Sequence, residues 1–140
     1  MDAFDADVLI YAVAPGHHLG RRVLALFSLE PVVRSRPPDG VGSVLLLPEV
    51  LCKPIREGVP TEVDFLNALL DRLDLRSTDL ATAELATSLA ASYRLQAADA
   101  VHLATAVAAG ADRFLTNNQR DFPRTITEID IVYPADLPTI

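Results

Sequence analysis

Four stretches of the chain hold carboxylates or amides where solvated side chains are out of place. Asp5 and Asp7 stand in Phe4-Asp5-Ala6-Asp7-Val8-Leu9-Ile10, and Glu49 stands in Leu45-Leu46-Leu47-Pro48-Glu49-Val50-Leu51. Asp99 opens Asp99-Ala100-Val101-His102-Leu103-Ala104-Thr105-Ala106, and the fourth stretch is Thr116-Asn117-Asn118-Gln119-Arg120-Asp121-Phe122. Carboxylates are almost never fully buried unpaired, so Glu49 and Asp99, each interrupting an apolar or small-residue run, need compensation. Two readings supply it. In one, each acid meets a helix N-terminus or an arginine, which serves Asp5, Asp7 and Asp99 singly but leaves Glu49 unexplained. In the other, the acids converge and share divalent cations. Hard Mg²⁺ or Mn²⁺ prefers carboxylate oxygens, whereas zinc would call for Cys and His. Repulsion among the acids would raise their pKa values, and a cation would reverse that. Such a cation acidifies water and stabilises charge on a phosphodiester during in-line displacement.

For these side chains to meet, the elements carrying them must share an edge. Ala3–Asp5 reads as a buried strand running into a helix over Val8–Ala12, broken at Pro15-Gly16. Leu19–Leu29 repeats Leu19, Val23, Leu26 and Phe27 at helical spacing until Pro31. Pro37-Pro38-Asp39-Gly40 is a turn, Val41–Val44 a brief strand with Ser43 as a cap, and a helix starting at Pro48 carries Glu49 to about Arg56. Thr61-Glu62-Val63-Asp64 is a loose capping-box variant, ahead of a helical face of Val63, Leu66, Leu69, Leu70 and Leu73. Leu73–Arg76 is a strand, and Ser77-Thr78-Asp79 opens a helix to about Tyr93. The next helix runs from near Ala98 to Ala109, stopped by Gly110. Arg113–Thr116 and Glu128–Tyr133 are the last strands. Strands alternating with helices imply βαβ units and a parallel sheet covered on both faces. Right-handed crossovers then align the strands' C-terminal ends along one edge, where open α/β sheets bind ligands.

The 140 residues suit one domain, with half of them apolar and no linker or repeat. The net charge of −7 argues against broad neutralisation of phosphates, though not against an enzyme that meets nucleic acid through bound cations. Lone Cys52 suits a reducing compartment, the acidic N-terminus points away from export, and no apolar run reaches membrane-spanning length. His102, three positions after Asp99, reads as a hydrogen-bonded helix histidine in preference to a general base. His17 and His18 read as surface residues. Thr116 is placed either to hold Asp5 or a phosphate oxygen, or to cap its turn. Arg21, Arg22, Arg34, Arg36, Lys53 and Arg56 are the candidate RNA-facing cations.

The order and surroundings of the acids resemble the PIN domain, in particular the VapC-type toxins of bacterial toxin–antitoxin pairs. The opening Phe4–Ile10 stretch, Ser43 through Glu49, Leu95–Ala106, and Phe114-Leu115-Thr116-Asn117-Asn118 with Asp121-Phe122 carry the likeness over nearly the whole chain. The resemblance implies a single PIN-like domain over residues 1–140, an α/β three-layer fold with a central, mostly parallel five-stranded sheet flanked by helices. It implies that Asp5, Glu49 and Asp99 bind metal, with Asn118 and Asp121 as further catalytic-site candidates. The implied activity is that of a Mg²⁺- or Mn²⁺-dependent endoribonuclease cleaving RNA with metal-activated water. Its implied setting is cytoplasmic, as the toxin of a type II, VapBC-like system, homodimeric and blocked by a cognate antitoxin. Two positions depart from the family: Asn118 stands where an aspartate is frequent, and Asp7 where Ser or Asn is commoner.

Two other functions compete. Asp5-Ala6-Asp7 also resembles the first motif of haloacid dehalogenase-type phosphatases, but Lys53, the only lysine, comes too early for that family's later motif. A catalytically silent PIN-like interaction module would explain Asn118, but would have no need of Glu49 among leucines.

Overall fold

The computed structural model of the protein describes residues 1–28, 30–33 and 35–140. Strand β1 (Asp2–Phe4) leads into α1 (Ala6–Val13) and α2 (His18–Leu24). After β2 (Gly40–Ser43) come α3 (Leu46–Arg56), α4 (Pro60–Leu70) and β3 (Leu73–Arg76). Helices α5 (Leu80–Tyr93) and α6 (Ala97–Ala108) precede β4 (Arg113–Leu115) and β5 (Asp130–Val132). This is the expected α/β architecture, and every strand pairing in its five-stranded sheet, ordered β3-β2-β1-β4-β5, is parallel.

The strand order reverses direction beside β1. The chain builds outward from β1 to β2 and β3, then returns to the other side of β1 for β4 and β5. The crevice beyond the C-terminal ends of β1 and β4 is therefore the switch point at which such sheets bind ligands. Alternation along the strands divides the core between two faces. Phe4 and Leu115 pack with α1 to α4, while Ala3, Val41, Phe114 and Ile131 pack with α5 and α6. At the opposite edge, Asp2 and its register partner Arg113 form two hydrogen bonds of 2.8 and 2.9 Å, pinning β1 to β4.

Local chemistry explains where elements begin earlier or end sooner than the sequence suggests. Helix α4 starts at Pro60, ahead of Thr61. Proline's fixed φ and missing N–H suit the first helical position, so it sets the start and the Thr61 box is not used. Helix α3 begins at Leu46, which puts Pro48 in a first turn whose N–H groups have no intrahelical acceptor. Ser43 acts before that helix, its Oγ accepting from the Leu45 N–H at 3.1 Å. Regular α2 ends at Leu24, and tighter turns bring Leu26 and Phe27 back to the carbonyls of Val23 and Leu24. The expected end of that helix, Leu29, lies outside the described residues.

Helices α1 and α2 meet backbone to backbone. A Cβ on Gly20 would lie 1.9 Å from the Tyr11 carbonyl oxygen, so the helices must part to admit one. Gly20→Ala is therefore expected to cost about 2–3 kcal/mol and to lower the urea midpoint measurably. An unchanged midpoint would show that this crossing is not tightly packed. Among the described residues no helix is long and apolar enough to cross a membrane.

Candidate metal centre

Asp5 is the first residue beyond β1, and its N–H donates to the Leu115 carbonyl at 2.9 Å, continuing the ladder to β4. Its extended backbone then makes it the N-cap of α1. One carboxylate oxygen accepts from the Ala6 N–H at 2.8 Å, and the other from the Thr116 hydroxyl at 2.8 Å. Thr116, fully buried just past β4, also accepts from the Asn118 N–H at 3.1 Å. The same hydroxyl therefore holds Asp5 and caps the turn, joining the two roles left open by the sequence. Asp5 is thus fixed across the switch point, and each of its oxygens retains a lone pair.

Glu49 comes from the first turn of α3, on the α1–α4 side of the sheet, and His102 comes from α6 on the other side. They meet above the sheet edge, with His102 Nε2 3.2 Å from Glu49 Oε2. The contact is close enough for an ion pair, but neither ring nitrogen makes a hydrogen bond, although both are buried. The sequence suggests a satisfied helix histidine at this position; the structure has an imidazole aimed into a cluster of acids. One ligand atom each from Asp5, Glu49 and His102 lie within 4.8 Å of one another. The available signal was spacing, since His102 sits one turn beyond Asp99 on an otherwise apolar helix.

Asp99, half-buried in the first turn of α6, belongs to the same electrostatic group. Burial raises its pKa, and the charges of Asp5, Asp121 and Glu49 raise it further. Burial also pushes Asp5 upward, against His102, Thr116 and the Ala6 N–H, which favour its charged form. Asp7 accepts from the Asn117 N–H at 3.0 Å, while its second oxygen is buried without a partner. Burial and then the Asp5 charge push Asp7 up to about 7. Among the described residues no lysine or arginine pairs with Asp5, Asp7, Glu49 or Asp99. Helix N-termini favour these acids, but the arginine partners that would compensate them singly are missing from that set.

The loop after β4 separates Asn118 from Asp121. The Asn118 amide donates to Asp121 Oδ2 at 2.9 Å and accepts from the Asp121 N–H at 3.2 Å, and its carbonyl accepts from Phe122 at 2.9 Å. Asn118 is therefore occupied in shaping the loop, while the Asp121 charge reaches Asp99. Asn118→Ala should cost about 1 kcal/mol in stability. It should reduce RNA cleavage less than about tenfold in a fixed-time assay. A loss as large as that from removing Asp5 would make the amide an essential ligand.

The donor set fits a divalent cation: carboxylates at the starts of α1 and α3, an idle imidazole from α6 across the sheet, and buried negative charge without arginine or lysine partners among the described residues. The family model of the PIN domain matches residues 3–126. The chain belongs to the PIN domain family. A solved structure with the same fold is the toxin–antitoxin complex from Klebsiella pneumoniae. A chain of that complex aligns at a TM-score of 0.72 and 22% identity, covering 96% of this chain and 98% of that one. No curated protein matches the sequence. In this PIN domain the four sequence stretches come together as three helix starts and one loop around the β1–β4 crevice. The family leaves no place for the phosphatase reading of Asp5-Ala6-Asp7, and Asp7 is turned inward to tie α1 to Asn117.

Proposed function

We propose that this PIN domain is a Mg²⁺- or Mn²⁺-dependent endoribonuclease, the toxin of a type II, VapBC-like toxin–antitoxin pair. It acts in the cytoplasm as a single domain over residues 1–140, forms a homodimer, and is restrained by a cognate antitoxin. The observation that carries the catalytic reading is geometric: ligand atoms of Asp5 and Glu49 lie within 4.8 Å of one another and of His102, while Asp99 stands outside that group but within reach of their charges. The structural likeness to a toxin–antitoxin complex supports the partner.

Asp5, Glu49 and Asp99 would hold the cation, with Asp121 completing the acidic wall. When bound, the ion supplies Lewis-acid charge opposite a scissile phosphate and acidifies a water. The chain's own residues do the rest. Thr116 keeps Asp5 in one orientation, and Asp7 ties the start of α1 to the β4 loop. Exposed Lys53 and Arg56 follow Glu49 at helical spacing along α3, and Arg120, 91% exposed at its side chain, flanks Asp121. Of these cations, Lys53, one turn beyond Glu49, and Arg120, beside Asp121, are the candidates for phosphate positioning. Arg22 and Arg36 serve structural contacts instead, to the Ala135 carbonyl and to Glu30, and Arg34 lies outside the described residues. The net charge of −7 gives weak non-specific RNA affinity, which favours an exposed loop in a structured RNA as target. Asn118, the best argument for a silent module, is committed to its loop, so its lack of charge does not disable the acids.

The test is co-expression with a small neighbouring antitoxin, separation of the two proteins, and cleavage of structured RNA with and without manganese. Cleavage that needs the ion and stops when the antitoxin returns is expected. Well-folded protein that neither binds manganese nor cleaves RNA would leave the silent module.

A further inference from the structure

We infer that His102 is a nitrogen donor to the cation held by Asp5 and Glu49, making the pocket selective for manganese-class transition ions over magnesium. The inference rests on the cation reading of this pocket and concerns which ion it takes. Its first support is burial without satisfaction. The His102 side chain is fully buried, and neither ring nitrogen finds a hydrogen-bond partner in the protein. A buried polar group left in that state costs on the order of 1–3 kcal/mol, so the ring is free to serve a group that the chain does not supply. Its second support is direction. Nε2 faces Glu49 Oε2 at 3.2 Å but off the line of a hydrogen bond, within the same 4.8 Å cluster as Asp5. Two donors at right angles, each about 2.1–2.2 Å from one ion, lie about 3.0–3.1 Å apart. The observed 3.2 Å is close enough for the two atoms to serve one ion as neighbours.

Nothing in the protein competes for the lone pair. Neither ring nitrogen has a hydrogen-bond partner that fixes its proton, so the ring is free to take the tautomer that offers Nε2 to a cation. Two carboxylates and one imidazole then form a mixed oxygen and nitrogen set. Magnesium takes oxygen ligands and sheds water reluctantly, while later first-row ions bind imidazole increasingly well. An all-carboxylate pocket would lack this bias. The rival arrangement is a protonated His102 acting as an internal counter-ion to Glu49 and Asp5, which would turn away from an entering metal.

Calorimetric titration of the antitoxin-free protein with MnCl₂ and MgCl₂, for wild type and His102→Gln, distinguishes the two. Wild type should bind Mn²⁺ at least about tenfold more tightly than Mg²⁺. His102→Gln should lose about ten- to a hundredfold in Mn²⁺ affinity with less than about a threefold change for Mg²⁺. Pulsed electron paramagnetic resonance of the Mn²⁺-loaded wild type should show imidazole ¹⁴N coupling, and this measurement decides alone if the variant does not fold. Manganese binding without nitrogen coupling overturns the role of His102 and leaves the nuclease reading intact. Failure of the wild type to bind either ion removes both.

Discussion

Asp5→Asn is expected to abolish manganese-stimulated RNA cleavage, by more than about a hundredfold, without changing the far-ultraviolet circular dichroism. Asp5 is the most deeply buried acid of the pocket and the one the fold positions most firmly, by Ala6 on one oxygen and Thr116 on the other. Asparagine keeps the shape and can still cap α1, so helix and sheet should persist. It removes the negative charge that Ala6 and Thr116 hold at the switch point, and the neutral amide of Asn118 beside Thr116 cannot replace it. Asp99→Asn should also lose cleavage, since Asp99 shares the field of Asp5, Asp121 and Glu49. Full activity in Asp99→Asn would remove that residue from the site. Retained cleavage in Asp5→Asn would break the catalytic reading as a whole.

Much of this arrangement was legible in the amino-acid order, for physical reasons that differ from part to part. Glu49 and Asp99 could be singled out as carboxylates among leucines or alanines. The structure leaves Glu49 exposed and Asp99 half-buried, so their place at helix starts, and not burial, brings them to the site. The parallel sheet could be read from apolar strands separated by helical periodicity, which places Asp5, Glu49 and Asp99 at helix starts on one edge. Boundaries were less legible where two start signals compete, as when Pro60 overrode Thr61. The role of His102 was hidden because it depends on a meeting across the sheet. A helix histidine near an aspartate has a local partner by spacing, yet its ring approaches Glu49 from α3 instead. The division between Asn118 and Asp121 was hidden too, because it depends on the loop's hydrogen bonds rather than on residue type.

Metal-free protein should lose stability as pH rises from about 4 to about 7, and divalent cations should restore it. The Asp7 carboxyl, ordinarily near 3.8, is pushed up to about 7 in the folded chain by burial and then by the Asp5 charge. Between those values the folded state binds more protons than the unfolded one, so unfolding becomes easier as pH increases. The full separation corresponds to roughly 4 kcal/mol, an upper figure for a group that keeps some contact with solvent. A shift of half that size would lower the melting temperature by several degrees. Asp5 and Asp99 are raised in the same direction and add to the slope. Asp79 and Asp136 have lowered pKa values, so their contributions are lost only in more acidic solution and do not mask this window. Differential scanning calorimetry in EDTA from pH 4 to 8 should show the decline. Asp7→Asn should flatten it, because asparagine resembles the protonated carboxyl and can still accept from the Asn117 N–H. Manganese at a hundred times its dissociation constant should return about 2.7 kcal/mol to the folded state. An equally steep decline in Asp7→Asn would move its origin to Asp5 and Asp99, whereas a flat wild-type profile would mean that the acids are not confined together. The pH dependence thus reads the concentration of charge in the pocket directly, without requiring that its RNA substrate be known.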